Sequence, residues 1–301
     1  MTAIPQDTLL LAPPVVRTPR FVRFCISFAR RKPIAAVSAA ILLVIVLMCV
    51  FAPLIATADP NRQELGSRLA PPSSEHYLGA DQLGRDTFSR ILYGGRVSLG
   101  AGLGATLAGV GLGVLIGLVS GYAAGKVDLV LQRFMDAIMA LPPLILLMVL
   151  QTSLDPNFRN MVFAIAIFVA PGASRVVRSS VLSIKEMPYV DAARSLGASP
   201  SRLAFRHILP NTFAPVIVLA SITVGSVIII EAALGFLGLS VRLPTATWGN
   251  MLNSGAQQYM EKSPMLAIAP GAAIALTVFS INLFGDGLRD VLDPRLRGKG
   301  H

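Results

Sequence analysis

Charge is scarce in this chain. Only 14% of its 301 residues are Asp, Glu, Lys or Arg, against about 25% in a soluble domain, so much of the surface must face something other than water. Cysteine is nearly absent: Cys25 lies in a basic segment and Cys49 in an apolar run. Two free thiols without ligand spacing exclude a disulfide scaffold and a cysteine-held metal. His76, His207 and His301 are far apart in sequence, which argues against a histidine metal site. A phosphate-binding loop is also missing. Gly125-Lys126 comes nearest, but Ser120 stands where the first glycine is needed and Val127 follows the lysine. No Ser/His/Asp or Cys/His set suggests a catalytic centre. The net charge is +10, yet the basic residues form no continuous stripe, so nucleic acid is not the expected partner.

What the chain has in quantity is apolar sequence. Hydrophobic residues make up 53%, with a mean hydropathy of +0.66. They gather in six runs, over 34–57, 97–124, 129–151, 160–182, 212–240 and 265–285. Each is long enough to cross hydrocarbon as a helix, which takes about 20 residues. The expected fold is therefore all-α, a polytopic membrane bundle. The fourth run carries Arg175 and Arg178 in its last third and is expected to leave the membrane near Ser174, continuing as a helix in water.

Orientation follows from the basic residues. Arg17, Arg20, Arg23, Arg30, Arg31 and Lys32 precede the first run, with Asp7 the only acid. That pattern keeps residues 1–33 in the cytoplasm. Six crossings return the tail 286–301 to the same side, and most of the 26 Lys/Arg then fall on cytoplasmic segments. Ala56-Thr57-Ala58 imitates a secretory cleavage site, but the run before it exceeds the 7–15 residues of a signal core, so 34–57 reads as an uncleaved helix. Residues 17–32 read either as a surface helix, with Phe21, Phe24, Cys25 and Phe28 on one stripe, or as a disordered basic tail. The segment 58–96 is external, balanced in charge and rich in turn formers such as Pro71-Pro72-Ser73-Ser74.

Within the spans, Gly109, Gly113, Gly117, Gly121 and Gly125 recur every fourth residue. That stripe admits a second helix at close range. Pro142-Pro143, Pro171 and Pro270 should kink or break their helices. Asp136 has Arg133 three residues before it, and a structural pair there is favoured over a place on a transport pathway. Glu231 has no sequence-local partner; it could line a pathway or cap a neighbouring helix.

Residues 183–211 separate the fourth and fifth runs. Pro188 opens one short helix and Gly197 ends it. Ser199-Pro200 caps a second, which ends near Pro210. Two short helices at an angle are expected, with Ala192 and Ala193 as a flat docking face.

At these residues the chain resembles the permeases of binding-protein-dependent ABC importers. Their signature is Glu-Ala-Ala, three residues, Gly, nine residues, Ile, one residue, Leu-Pro. Here Asp191-Ala192-Ala193, Gly197 and Leu209-Pro210 hold the register, with Asp in place of Glu and His207 at the Ile position, followed by Ile208. The stretch His76 to Asp86, which includes Gly79, Asp81, Gly84, Arg85 and Asp86, and its continuation to Arg96 are similar to the external region of the C-type permease of dipeptide and oligopeptide importers. Glu231 to Gly238, Trp248-Gly249 and Asp290 to Pro294 resemble their fifth span, the following loop and the C-terminal end.

The resemblance implies a bacterial cytoplasmic-membrane subunit whose permease core is 97–285. A homologous second permease completes the pathway, and an external binding protein delivers di- or oligopeptides. Two ATP-binding subunits, which carry the ATP and Mg, dock on the cytoplasmic loop. On this chain the coupling residues would be Tyr189, Asp191, Ala192, Ala193, Arg194, Leu196, Gly197, Ser199, Arg202, Leu209 and Pro210. Relatives implied by the same resemblance handle nickel chelates, glutathione, opines or some sugars. A self-sufficient channel or carrier would leave the docking segment unexplained and lacks the expected internal repeat. An intramembrane enzyme would need catalytic partners for Asp136 or Glu231.

Overall fold

The computed structural model describes residues 28–30 and 32–292. The expected stripe over 17–32, with Cys25, lies almost wholly outside them, as does the end of the tail. Hydrocarbon offers a backbone no partner but itself, and the apolar runs are helices. The described residues contain no strand, only a bridge between Ala80 and Asp86.

Pro33 occupies the first turn of α1 (Pro33–Val50), where its missing N–H costs nothing, and a short α2 (Ala52–Ile55) follows. Next come α3 (Thr87–Ala123), α4 (Gly125–Met139), α5 (Pro143–Ser153) and α6 (Phe158–Lys185). The loop after α6 holds α7 (Pro188–Ser195) and α8 (Pro200–Arg202), which runs through a π-helical turn at Leu203–Ile208 into α9 (Leu209–Phe236). The chain ends its described part with α10 (Trp248–Gln258) and α11 (Met265–Leu292). Among the described residues five helices are long and apolar enough to cross a membrane, or six if α4 and α5, bent by 89° to one another, form one broken span.

Two differences from the sequence reading have clear causes. The second span begins at Thr87, not at 97, because the Asp86 side chain accepts the Ser89 amide and caps α3. The charges at Arg90 and Arg96 hide that turn from a hydropathy reading. The prolines also differ among themselves. Pro171 and Pro270 sit inside continuous helices, whereas Pro142-Pro143 breaks the chain. The residue before a proline is driven out of the α region, and Pro142 is accordingly extended, at ψ 134°.

The glycine stripe packs α3 against α6. A Cβ on Gly109 would lie 2.7 Å from Val169, on Gly113 2.5 Å from Ala173, on Gly117 2.5 Å from the Ser174 carbonyl and on Gly121 2.9 Å from Val181. Nothing larger than hydrogen fits at these four positions, and the two backbones meet in van der Waals contact. Gly125 does not continue the stripe. It opens α4 with φ +57° and nothing within reach of a Cβ. At the other end of the bundle, α10 lies against α9, where a Cβ on Gly249 would stand 2.5 Å from the Ala232 carbonyl. Trp248 fills the space beside α3 and donates its indole N–H to the Ile91 carbonyl at 3.0 Å.

Candidate coupling elbow and the opposite mouth

The loop between α6 and α9 forms an elbow whose back is apolar and whose front is open. Val190 of α7 and Leu203, Ala204 and Ile208 of the π turn are buried against Val177, Val181 and Ile184 of α6 and Leu118 of α3. Each of the Val, Leu and Ile side chains contributes about 1.5–3 kcal/mol of burial, and Ala204 about 0.8 kcal/mol. Lys185 ends α6 by donating to the Tyr122 carbonyl at 2.7 Å, which places a cation at the C-terminal end of α3.

The angle of the elbow is set by Gly197 and Ser199. Gly197 has φ +82°, and α7 closes with the Gly197 amide on the Arg194 carbonyl and the Ala198 amide on the Ala193 carbonyl. The Ser199 hydroxyl accepts the Arg202 amide at 3.4 Å. Tyr189, Asp191, Ala192, Arg194, Gly197, Ser199, Arg202 and Pro210 are exposed, and Leu196 is 89% exposed. Arg194 Nη1 donates to Asp191 Oδ1 at 2.8 Å. Ala193 and Leu209 are half-buried on the apolar back, so the flat face of the sequence reading consists of Ala192 without Ala193. Phe205, an exposed aromatic on the same turn, was not singled out from sequence. Its signal was an apolar residue off the stripe that buries Leu203, Ala204 and Ile208.

Of the two acids within the apolar spans, Asp136 departs from its sequence reading. Asp136 pairs with Arg175 of α6 at 2.5 Å, not with Arg133. Beside it Asp128 receives a bidentate bond from Arg178, at 2.6 and 2.5 Å. It also bonds the Ser120 hydroxyl, to which Gln132 Nε2 donates at 2.9 Å. These bonds strap α4 across the ends of α3 and α6. Glu231 is fully buried, and Ser240 of the loop after α9 donates to its Oε1 at 3.3 Å. That donor is nine residues on, beyond the reach of a helix-periodicity argument.

At the opposite end of the bundle the residues singled out from 76–96 come together. Asp81 Oδ1 accepts the Leu83 and Arg85 amides, and its Oδ2 accepts Arg85 Nε at 2.7 Å. Arg90 Nε lies 3.6 Å from the same Oδ2, and its Nη1 donates to the Pro60 carbonyl at 2.9 Å. Asp86 accepts from Thr57 and the Ser89 amide, and faces His76 Nδ1 at 3.1 Å. Burial pushes the Asp86 carboxyl upward, but the Ser89, His76 and Thr57 bonds outweigh it and hold the group below its ordinary value. Gly79 and Gly84 carry φ of +78° and +72°, and a Cβ there would meet the Ala70 and Glu64 carbonyls at 2.7 and 1.8 Å. The motif is thus a closed fold of its own. Between it and the loop after α9 lies a cleft of about 480 Å³.

With the elbow and mouth placed, likeness to known proteins settles the class. The family model for the inner membrane component of binding-protein-dependent transport systems matches residues 113–298. This chain belongs to that family. The N-terminal transmembrane domain of oligopeptide transport permease C also matches, over residues 29–72. A probable D,D-dipeptide transport system permease of Escherichia coli K12 is 42% identical over 268 residues, covering 89% of this chain and 90% of the relative. A dipeptide transport system permease of Alkalihalophilus pseudofirmus is 38% identical, covering 89% and 88%. A glutathione transport system permease of Pectobacterium atrosepticum is 43% identical over 75% of each chain. The fold is similar to that of the MetNI methionine ABC transporter in an inward-facing form, with TM-score 0.51 and 17% identity, covering 65% of this chain and 94% of that one. The chain is therefore an all-α, multi-pass inner-membrane transport permease, and transport is its assigned work rather than catalysis.

Proposed function

We propose that this permease imports di- and oligopeptides, sharing its pathway with a homologous permease and driven by ATP-binding subunits that dock on the elbow. Residues 1–33, the elbow 183–211 and the tail 286–301 then face the cytoplasm, and the segment after α2 faces an external binding protein. ATP and Mg are held by the partner subunits. The observation that carries the reading is the two-sided build of the elbow. Its back is fastened to α6 and α3, while Leu196, Tyr189 and Ala192 are left uncovered at its front. Leu196, the residue after α7, is exposed together with Met187, Tyr189 and Phe205, and a cluster of large apolar side chains matches a surface that a partner covers. The peptide reading rests on relatives named for peptides at about 40% identity.

Two variants test the coupling. Leu196→Cys is expected to crosslink to a cysteine on the docked ATPase subunit. Gly197→Pro cannot adopt the +82° of this turn and is expected to leave ATP hydrolysis running without uptake. Unchanged uptake by reconstituted Gly197→Pro complex would remove the lever assignment. A glutathione relative makes glutathione the second substrate reading. Competition of glutathione against a labelled dipeptide during uptake decides between them.

A further inference from the structure

The cleft at the mouth opposite the elbow has a charged floor that the coupling reading leaves unused. Arg85 and Arg90 both line it and are only 5% and 3% exposed. Together they share one carboxylate, Asp81. The other acid of the motif, Asp86, is taken up by Thr57, Ser89 and His76 and forms no ion pair with either arginine. One positive charge is therefore left without a partner in a desolvated place. A buried charge is tolerated when it is paired. Arg85 spends only its Nε, on Asp81; its two terminal nitrogens make no hydrogen bond within the described residues. Below the cleft is a recess of about 20 Å³, room for about one water, bordered by Asp81, Arg85, Arg90 and Thr87. Thr87 is 1% exposed, and its buried hydroxyl has no partner. The free terminal nitrogens of Arg85, with the Arg90 guanidinium beside them, form a fork for a planar anion at the floor of the cleft, and the recess beneath, with the Thr87 hydroxyl, has room for a water that supports it.

We propose that this floor is a subsite for the terminal carboxylate of a short peptide, whose body lies in the cleft among Gln82, Asn250 and Asn253. The volume falls in the range of small-ligand sites. The depth of the arginines favours a free ligand over a flat protein surface. Gln82 Oε1 and Asn253 Oδ1 have no partner among the described residues and match peptide N–H groups, while Asn250 and the Asn253 amide nitrogen are bonded within the protein and Arg242, also in the lining, pairs with Asp155. The inference rests on the peptide-import reading and the orientation given with it.

The test uses the assembled complex in nanodiscs without its binding protein. Saturation-transfer NMR measures the binding of alanyl-alanine and of alanyl-alanine amide. Wild type is expected to bind the acid and not the amide. Arg85→Lys keeps the charge beside Asp81 but loses the fork, and is expected to weaken binding about tenfold. Thr87→Val removes a hydroxyl that no other group in the chain uses, so it keeps the test alive if the arginine variant fails to assemble. It is expected to weaken binding about threefold. Equal binding of acid and amide, no binding of either, or variants that bind like wild type would overturn the subsite. If no form binds the dipeptide and Arg85→Lys loses only the ATPase stimulation given by the binding protein, the cleft takes an acidic side chain of that protein, and the subsite is again wrong. Uptake of the same dipeptide into proteoliposomes by wild-type complex with its binding protein is measured in parallel. Uptake without acid–amide discrimination sinks the subsite alone, and absence of uptake sinks the import reading.

Discussion

Gly84 and Gly197 stand at opposite ends of the bundle with nearly the same backbone, φ +72° and +82°, in surroundings that share nothing. Gly84 is pressed against the Glu64 carbonyl with no room for a Cβ, while nothing lies within 4 Å of the Cβ position at Gly197. The mouth motif is closed by buried charges and tight turns, and the elbow is closed only behind. At the mouth the turns are packed against the chain's own carbonyls, whereas the front of the elbow is left uncovered among the described residues.

The largest break in that comparison should come from Gly84→Ala, because both the turn and the space forbid it. A loss of more than roughly 3 kcal/mol is expected, read as aggregation or a collapsed melting temperature in size-exclusion analysis. A monodisperse variant with a wild-type melting temperature would mean that the mouth is not locked. Asp86→Ala removes the cap of α3 together with the Thr57 and His76 contacts and should cost about 2 kcal/mol. Acid should imitate it in the unaltered protein. The folded carboxyl keeps its charge to lower pH than the unfolded one. Its contribution is therefore whole above the ordinary aspartate pKa of about 3.9 and fades as pH falls through the folded value. Hydrogen exchange over 58–96 should stay slow to that point and quicken below it.

At the elbow the effects shrink. Gly197→Ala meets only the left-handed strain, about 1 kcal/mol, a shift of a few degrees in melting temperature. Leu196→Ser should stay within about 0.5 kcal/mol of wild type while reconstituted uptake falls severalfold. Unfolding of the Leu196 variant would place that side chain in the fold rather than at a docking face.

Much of this contrast was legible in the chain itself. The turn at Gly197 and the cap at Ser199 are local signals that need only neighbouring residues, and both stand where the sequence put them. The glycine stripe announced a close helix, although not that the helix would be α6. What escaped depends on distant chain. Asp136 was assigned to Arg133 because a helical neighbour is all that sequence offers, while Arg175 arrives from α6. Glu231 gained Ser240 from the loop beyond α9. The start of α3 was missed because hydropathy cannot register a charged first turn that is buried by Asp81 and Asp86.

From Gly109 to Gly121 the bare backbone of α3 lies against the carbonyls and β-carbons of α6, with no long side chain between them to yield. Two staves joined along their grain bend as a single plank. A tilt imposed on α6 near the elbow is then expected to carry α3 with it toward Asp86, and the sharpest bend between helices stands apart from that pair, at the 89° break between Met139 and Pro143.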